Sequence, residues 1–261
     1  SIDASEPYKV TSLLITHVAP LEDTPERILE EFAALPGRST FALVKLGATG
    51  PSPILTRKPA EQFAVGSTFK LWVLDALAED IAAGRRRWDQ VVRLGQRSVP
   101  SGIMQDWPQN AAVTLETLAT LMISRSDNTA TDTLIRLLGR EALARRVTAT
   151  GHSAPERLLP FLTTAEVFAL KSGPEADRTA FLTASEAGQA RFIETYRRDE
   201  QLPRIDPAAV ASDKPAFIDT IEWFASAHDI ARVFDALRQR KDPKLLAILA
   251  VNPGLPAGVL K

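Results

Sequence analysis

Apolar residues along this chain follow two periods, and the change between them divides it. Near the N-terminus the pattern is that of strands. Val10-Thr11-Ser12-Leu13-Leu14-Ile15-Thr16 is β-branched and apolar, and Thr40-Phe41-Ala42-Leu43-Val44-Lys45-Leu46 repeats the signal. A Gly/Pro/Ser turn then leads to a short strand near Ile54-Leu55-Thr56. Before the second strand, Thr24-Pro25-Glu26 marks a helix start, with Thr as N-cap and Pro at the first helical position. Ile28, Leu29, Phe32 and Ala33 give that helix its apolar face, and Gly37 ends it.

From Ser67 the period lengthens. Phe69, Trp72, Val73, Ala76, Leu77 and Ile81 recur at steps of three and four, and Gly84 is the stop. A loop from Arg93 to Asn110 carries Pro100, Gly102 and Trp107-Pro108. Thr114 opens a helix through Leu115, Leu118, Ala119 and Met122, which breaks at Ser124-Arg125-Ser126-Asp127-Asn128. The next helix runs through Leu134, Ile135, Leu137 and Leu138 to Gly139, and another spans Glu141–Thr150 with Gly151 as its cap. An irregular loop follows to Leu162. Thr163 or Thr164 then caps a further helix, and Glu186–Arg198 and Asp229–Arg240 are the last long ones. Strands early and helices in the middle predict an α+β fold: an all-helical lobe over about 66–218 beside an antiparallel sheet lobe with flanking helices over about 1–65 and 219–261. The sheet is expected to be incomplete, because after Asn252-Pro253-Gly254-Leu255-Pro256 there is room for one short strand at most.

Composition narrows the function classes. The formal charge of −1 over 261 residues argues against a nucleic-acid partner. Arg85-Arg86-Arg87 follows Gly84 at a helix end, where cations suit the dipole. The absence of cysteine excludes disulfides, thiolate nucleophiles and Cys-based zinc sites. His17, His152 and His228 have neither triad context nor metal-ligand spacing, and Gly-x-Ser-x-Gly is absent. We therefore expect no metal and no cofactor. No stretch is long and apolar enough to span a membrane. The chain starts at Ser1 without Met and shows no signal peptide, which leaves open a mature exported form, a trimmed form or part of a longer protein.

The chemistry lies in two short strings. Ser67-Thr68-Phe69-Lys70 heads the first long helical segment, and Ser126-Asp127-Asn128 follows some sixty residues later. Roughly half a Ser-x-x-Lys match is expected by chance in a chain of this composition. Each string also has a plain structural explanation as a helix cap. Together they support a nucleophile and its base. A serine hydroxyl needs a base, and Lys70 lies one helical turn on, on the same face. The positive helix end and burial against Phe69 and Trp72 both favour the neutral amine. Ser126 is placed to pass a proton, and Asn128 to hold Lys70 and donate to a substrate amide. The Ser67 N–H is a candidate oxyanion donor.

Ser67-Thr68-Phe69-Lys70 with Ser126-Asp127-Asn128 resembles the first two signatures of penicillin-recognising serine enzymes, the class A β-lactamases and penicillin-binding proteins. The likeness extends to Phe63–Leu71, Val113–Leu118, Ser124–Ala130 and, at the end, Asn252–Val259. It implies a β-lactamase/transpeptidase-like fold in one domain over 1–261, with residues 1–20 as the possible end of a preceding domain. It further implies Ser67, Lys70 and Ser126 as catalytic, Asn128 and Trp107 as substrate-binding, a small-molecule substrate, a monomer, and a periplasmic or secreted location. Trp107 is equally explained as a loop residue packed on the core.

Two departures qualify the resemblance. The family's third motif, Lys-Thr/Ser-Gly on a strand, is expected beyond Lys261; Lys171-Ser172-Gly173 matches the letters but ends a helix. The deacylating Glu-x-x-Leu-Asn is also missing. Glu156-Arg157-Leu158-Leu159-Pro160 offers the nearest match, with Pro160 in place of Asn, whereas Glu166 is explained by a capping box with Thr163. The leading expectation is a serine hydrolase that opens β-lactams. An esterase for small acyl esters, a slow-turnover penicillin-binding protein or D,D-peptidase, and a non-catalytic binding module remain the alternatives.

Overall fold

The computed structural model describes residues 24–198 and 216–251. The expected strand Val10–Thr16 and the stretch Asn252–Val259 lie outside the described residues. Helix α1, Pro25–Ala34, starts as expected, with Thr24 Oγ1 accepting from the Arg27 N–H at 3.2 Å. It packs on a hairpin of β1, Phe41–Gly47, and β2, Gly50–Arg57. Pairing is antiparallel, from Phe41 opposite Arg57 to Gly47 opposite Gly50, with an irregularity between Leu43 and Val44. The strand expected near Ile54 is the middle of β2.

A 3-10 turn, Gly66–Phe69, runs directly into α2, Lys70–Ala82. Every residue from Lys70 to Ala78 is buried, which makes α2 the central helix. It is enclosed by α3 (Leu115–Ser124), α4 (Asn128–Leu138), α5 (Arg140–Ala149) and α9 (Ala227–Gln239). Among the described residues the remaining α-helices are α6 (Thr164–Ser172), α7 (Glu175–Thr183), α8 (Glu186–Arg198) and α10 (Pro243–Ala250). Polar ties hold the bundle in register. Trp72 Nε1 donates to Thr150 Oγ1 at 2.9 Å. The fully buried Asp75 accepts from Arg146 Nε at 2.7 Å and Arg240 Nη2 at 2.8 Å, joining α2 to α5 and to the end of α9.

Two further antiparallel bridges close the described structure: β3 (Phe63–Ala64) with β6 (Phe224–Ala225), and β4 (Val91–Arg93) with β5 (Ala112–Thr114). The outcome is a mixed fold of helices with small antiparallel sheets, as expected. The sequence did not announce β3 to β6, α7 or α10. Strands of two or three residues carry no period, α7 buries only Phe181, and α10 is a short apolar run that fits helix and strand alike.

Candidate active site

The turn that carries Ser67 is fixed from below. The Val65 N–H donates to the Trp223 carbonyl at 2.9 Å, extending the β3–β6 pairing by one residue. Phe69 stacks on Trp223, with centroids 3.8 Å apart and rings 7° from parallel. Ser67 itself is exposed, and Lys70, three residues on, is buried.

Lys70 Nζ donates to three oxygens: the Ser126 carbonyl at 2.6 Å, Ser126 Oγ at 3.0 Å and Asn128 Oδ1 at 2.9 Å. Ser126 Oγ lies 2.6 Å from Ser67 Oγ. The hydrogen-bonded route from Ser67 to Lys70 therefore runs through Ser126. The backbone of Ser126 makes this possible: its φ of 53° is the left-handed conformation, rare for a residue with a Cβ, and it turns both oxygens towards Lys70. Burial pushes the Lys70 ammonium down to about 8, against the opposing pull of the Asp132 and Asp127 carboxylates.

Asp127 anchors the second string. Its Oδ1 caps α4 by accepting from the Ala130 N–H at 2.8 Å. Its Oδ2 accepts from the Ile103 and Met104 N–H groups at 2.7 and 2.8 Å. The Asn128 N–H donates to the Ser101 carbonyl at 2.9 Å, so the 101–104 loop is bound to both residues. Gly102 is required there. Its φ is +112°, and a Cβ would stand 2.6 Å from Asp127 Cα. One turn along α4, the fully buried Asp132 accepts from Ser98 Oγ at 2.6 Å and from the Thr164 and Ala165 N–H groups at 2.7 and 3.0 Å.

Ser67, Lys70 and Ser126 open onto a cavity of about 360 Å³, walled by Leu71, Met122, Ile123 and Phe234. Phe234 stands on the exposed side of α9, 40% exposed, with no sequence signal to single it out. Trp107 is partly buried against the core and is not among the lining residues. Glu156 is exposed in a 3-10 turn, Pro155–Arg157, and lines a different cavity of about 340 Å³ with Phe181 and Trp223. Glu166 forms the expected capping box: it accepts from the Thr163 N–H at 2.7 Å and from Arg140 Nη2 at 2.5 Å. Lys171 closes α6, as expected, and pairs with Glu222. His152 is held between the Phe224 carbonyl and the Ala154 N–H. Among the described residues no cluster of His, Cys, Asp or Glu could hold a metal ion, and no helix is long and apolar enough to cross a membrane.

The family model described as Beta-lactamase enzyme family matches residues 23–253. No curated protein matches the chain. Among solved structures, a class A β-lactamase of the last common ancestor of Gram-negative bacteria is 19% identical, with 90% of this chain and 76% of that one covered and a TM-score of 0.55. A β-lactamase from Xanthomonas campestris is 17% identical over 89% of this chain and 74% of its own, with a TM-score of 0.54. These two share the fold. A β-lactamase from Sphaerobacter thermophilus is 20% identical over 77% of this chain, with a TM-score of 0.46, and the match spans only 57% of that protein's length.

Proposed function

The chain belongs to the β-lactamase enzyme family, and from that premise we propose that it is a class A-like serine hydrolase that opens β-lactam amides through an acyl-enzyme on Ser67. The observation that carries this reading is the relay Ser67 Oγ to Ser126 Oγ to Lys70 Nζ, at 2.6 and 3.0 Å.

With its ammonium pushed down to about 8, Lys70 is about one-tenth neutral at pH 7. In that state the hydroxyl directions reverse: Ser67 O–H donates to Ser126 Oγ, and Ser126 O–H donates to the free amine. Ser67 Oγ attacks the carbonyl carbon as its proton passes through Ser126 to Lys70. Collapse of the tetrahedral adduct breaks the C–N bond, and the same proton returns through Ser126 to the leaving nitrogen. Asn128 Oδ1 holds Lys70, which leaves its Nδ2 free to donate to the substrate's amide carbonyl. The substrate is a small molecule, and the chain acts as one domain on the exported side of the cell.

Among the described residues no carboxylate lines the Ser67 cavity. This favours a second reading within the family: Lys70 alone drives both half-reactions, deacylation is slow, and the protein behaves as a penicillin-binding protein or as an esterase for small acyl esters. Intact mass after mixing with a penicillin and a cephalosporin, beside Ser67→Ala, separates the two. Substrate loss with a transient adduct on Ser67 supports the β-lactamase, and a lasting adduct supports the second reading. Neither adduct nor loss, with Ser67→Ala indistinguishable from wild type on acyl esters as well, defeats both and leaves a binding module.

A further inference from the structure

The relay joins two hydroxyls that ride on separate segments. Ser126 sits at the junction of α3 and α4, and Asp127 and Asn128 tie that junction to the 101–104 loop. Ser67 is exposed on the Gly66–Phe69 turn, which owes its place to other contacts. Trp223 meets that turn on both sides of the serine. Two residues before Ser67, the Val65 N–H donates to the Trp223 carbonyl at 2.9 Å. Two residues after it, the buried Phe69 ring lies flat on the indole, with centroids 3.8 Å apart and planes 7° apart. Phe161 also meets Phe69, but tilted and at 5.8 Å, so the flat contact is the tryptophan's. The indole is itself fixed: it is buried, and its Nε1–H donates to the Leu162 carbonyl at 3.2 Å. The next two residues, Phe224 and Ala225, pair with Ala64 and Phe63, which holds the backbone beneath.

We propose that Trp223 is a positioning residue for acylation: by clamping the chain on both sides of Ser67 it sets the reach of Ser67 Oγ to Ser126 Oγ. The proposal rests on the reading of Ser67 as the nucleophile. The 2.6 Å contact between the two hydroxyls passes the proton, and any tilt of the turn lengthens it. A displacement of about 1 Å costs on the order of a hundredfold in rate. Any residue at 223 supplies the carbonyl for Val65, but only a flat ring supplies the stack on Phe69. Trp223 also lines the cavity of about 340 Å³ that Glu156 and Phe181 share. A smaller side chain would therefore open onto a void instead of being replaced by close packing.

The test is single-turnover acylation by a penicillin and by an acyl ester, which separates binding from the acylation step. Trp223→Leu removes the ring and keeps the carbonyl. It is expected to slow acylation about a hundredfold while binding stays within about threefold of wild type. Trp223→Phe returns a ring to Phe69 and is expected to recover to within about threefold of wild type. Leu245→Ala, which empties a fully buried site in α10, is expected to acylate as wild type does. Wild-type acylation in Trp223→Leu overturns the proposal, and so does an equal loss in Leu245→Ala, which would mark general destabilisation. Should Trp223→Leu not fold, Trp223→Met, long and apolar without a ring, carries the same expectation. Amide exchange needs no substrate and is read alongside. The hydrogen-bonded Val65 and Thr68 amides are expected to exchange about tenfold faster in the ring-less variant, with α10 unchanged. Unchanged exchange at those two amides overturns the proposal. A wild type inert to both reagents removes the Ser67 reading, and exchange alone then decides whether Trp223 holds the turn.

Discussion

A lysine pushed from 10.5 to about 8 by burial lowers folding stability wherever the folded protein must keep it charged. The sign follows from proton counts. Below pH 8 both folded and unfolded chains hold the proton, and the folded state carries the full desolvation cost. Between 8 and 10.5 the unfolded chain binds one proton more than the folded chain, so stability rises with pH by up to about 1.4 kcal/mol per unit. The gain between pH 7 and pH 10 comes to about 2.5 kcal/mol. Lys70→Met supplies the baseline. It leaves Ser126 O and Asn128 Oδ1 without their donor, but that loss does not vary with pH. Urea unfolding of both proteins across pH 7–10 is the assay, and the quantity read is wild-type stability minus that of Lys70→Met. A difference that climbs by about 2.5 kcal/mol supports a dry, depressed lysine. A difference flat to within about 0.5 kcal/mol refutes it, and with it the supply of neutral amine near pH 7 on which the relay depends.

Three further outcomes follow from the same structure. Gly102→Ala forces a Cβ into the Asp127 backbone at a φ only glycine adopts freely, so it should cost about 3 kcal/mol in denaturant unfolding and slow acylation together. Glu156→Gln should leave both acylation and deacylation rates at wild-type values in stopped-flow mass spectrometry, because Glu156 lines a separate cavity; a tenfold slower deacylation would return it to the mechanism as a base. Burial pushes the Asp229 carboxyl up, but hydrogen bonds from Ser226, Gln62 and Ser153 together hold it down to about 2, so it contributes about 2 kcal/mol above pH 4 that is lost as pH falls towards 2. Asp229→Asn should therefore flatten the acid limb of the stability curve, and an unchanged limb would count against those bonds.

What the sequence made legible was local. Thr24, Thr114 and Thr163 are all N-caps in the structure, and each was flagged by its own residue type and the few positions after it; Asp127 is the residue of its string that caps α4. The Lys70 pairing with Ser126 and Asn128 was legible for a different reason: two short strings specify it jointly. The bridging position of Ser126 was not, because nothing in Ser-Arg-Ser-Asp announces a left-handed serine. Nor was Asp132, whose partners Ser98 and Thr164 are 34 and 32 residues away and meet it only after α4 and α6 pack. Glu156, which sequence alone reads more readily as a surface carboxylate than as a base, is exposed and lines a separate cavity, a placement that a motif match does not encode.

These illegible features share a logic. Ser126 in a strained backbone costs about 1–3 kcal/mol, and the dry Lys70 costs a similar amount. Both costs fall within a few residues of each other, where a loosely held chain would relax by flipping the Ser126 peptide or letting the lysine reach water. Neither escape is open here. The residue after Ser126 is gripped by three backbone N–H groups from two segments, and the residue after that is bonded through its own N–H to Ser101. On the other side, Phe69, the residue before Lys70, is buried and stacked on the ring of Trp223. The clamps around the motif are thus not incidental to the relay. They hold Ser126 and Lys70 in arrangements that neither residue would keep alone, and a substitution that loosens the clamp should erase the chemistry before it unfolds the protein.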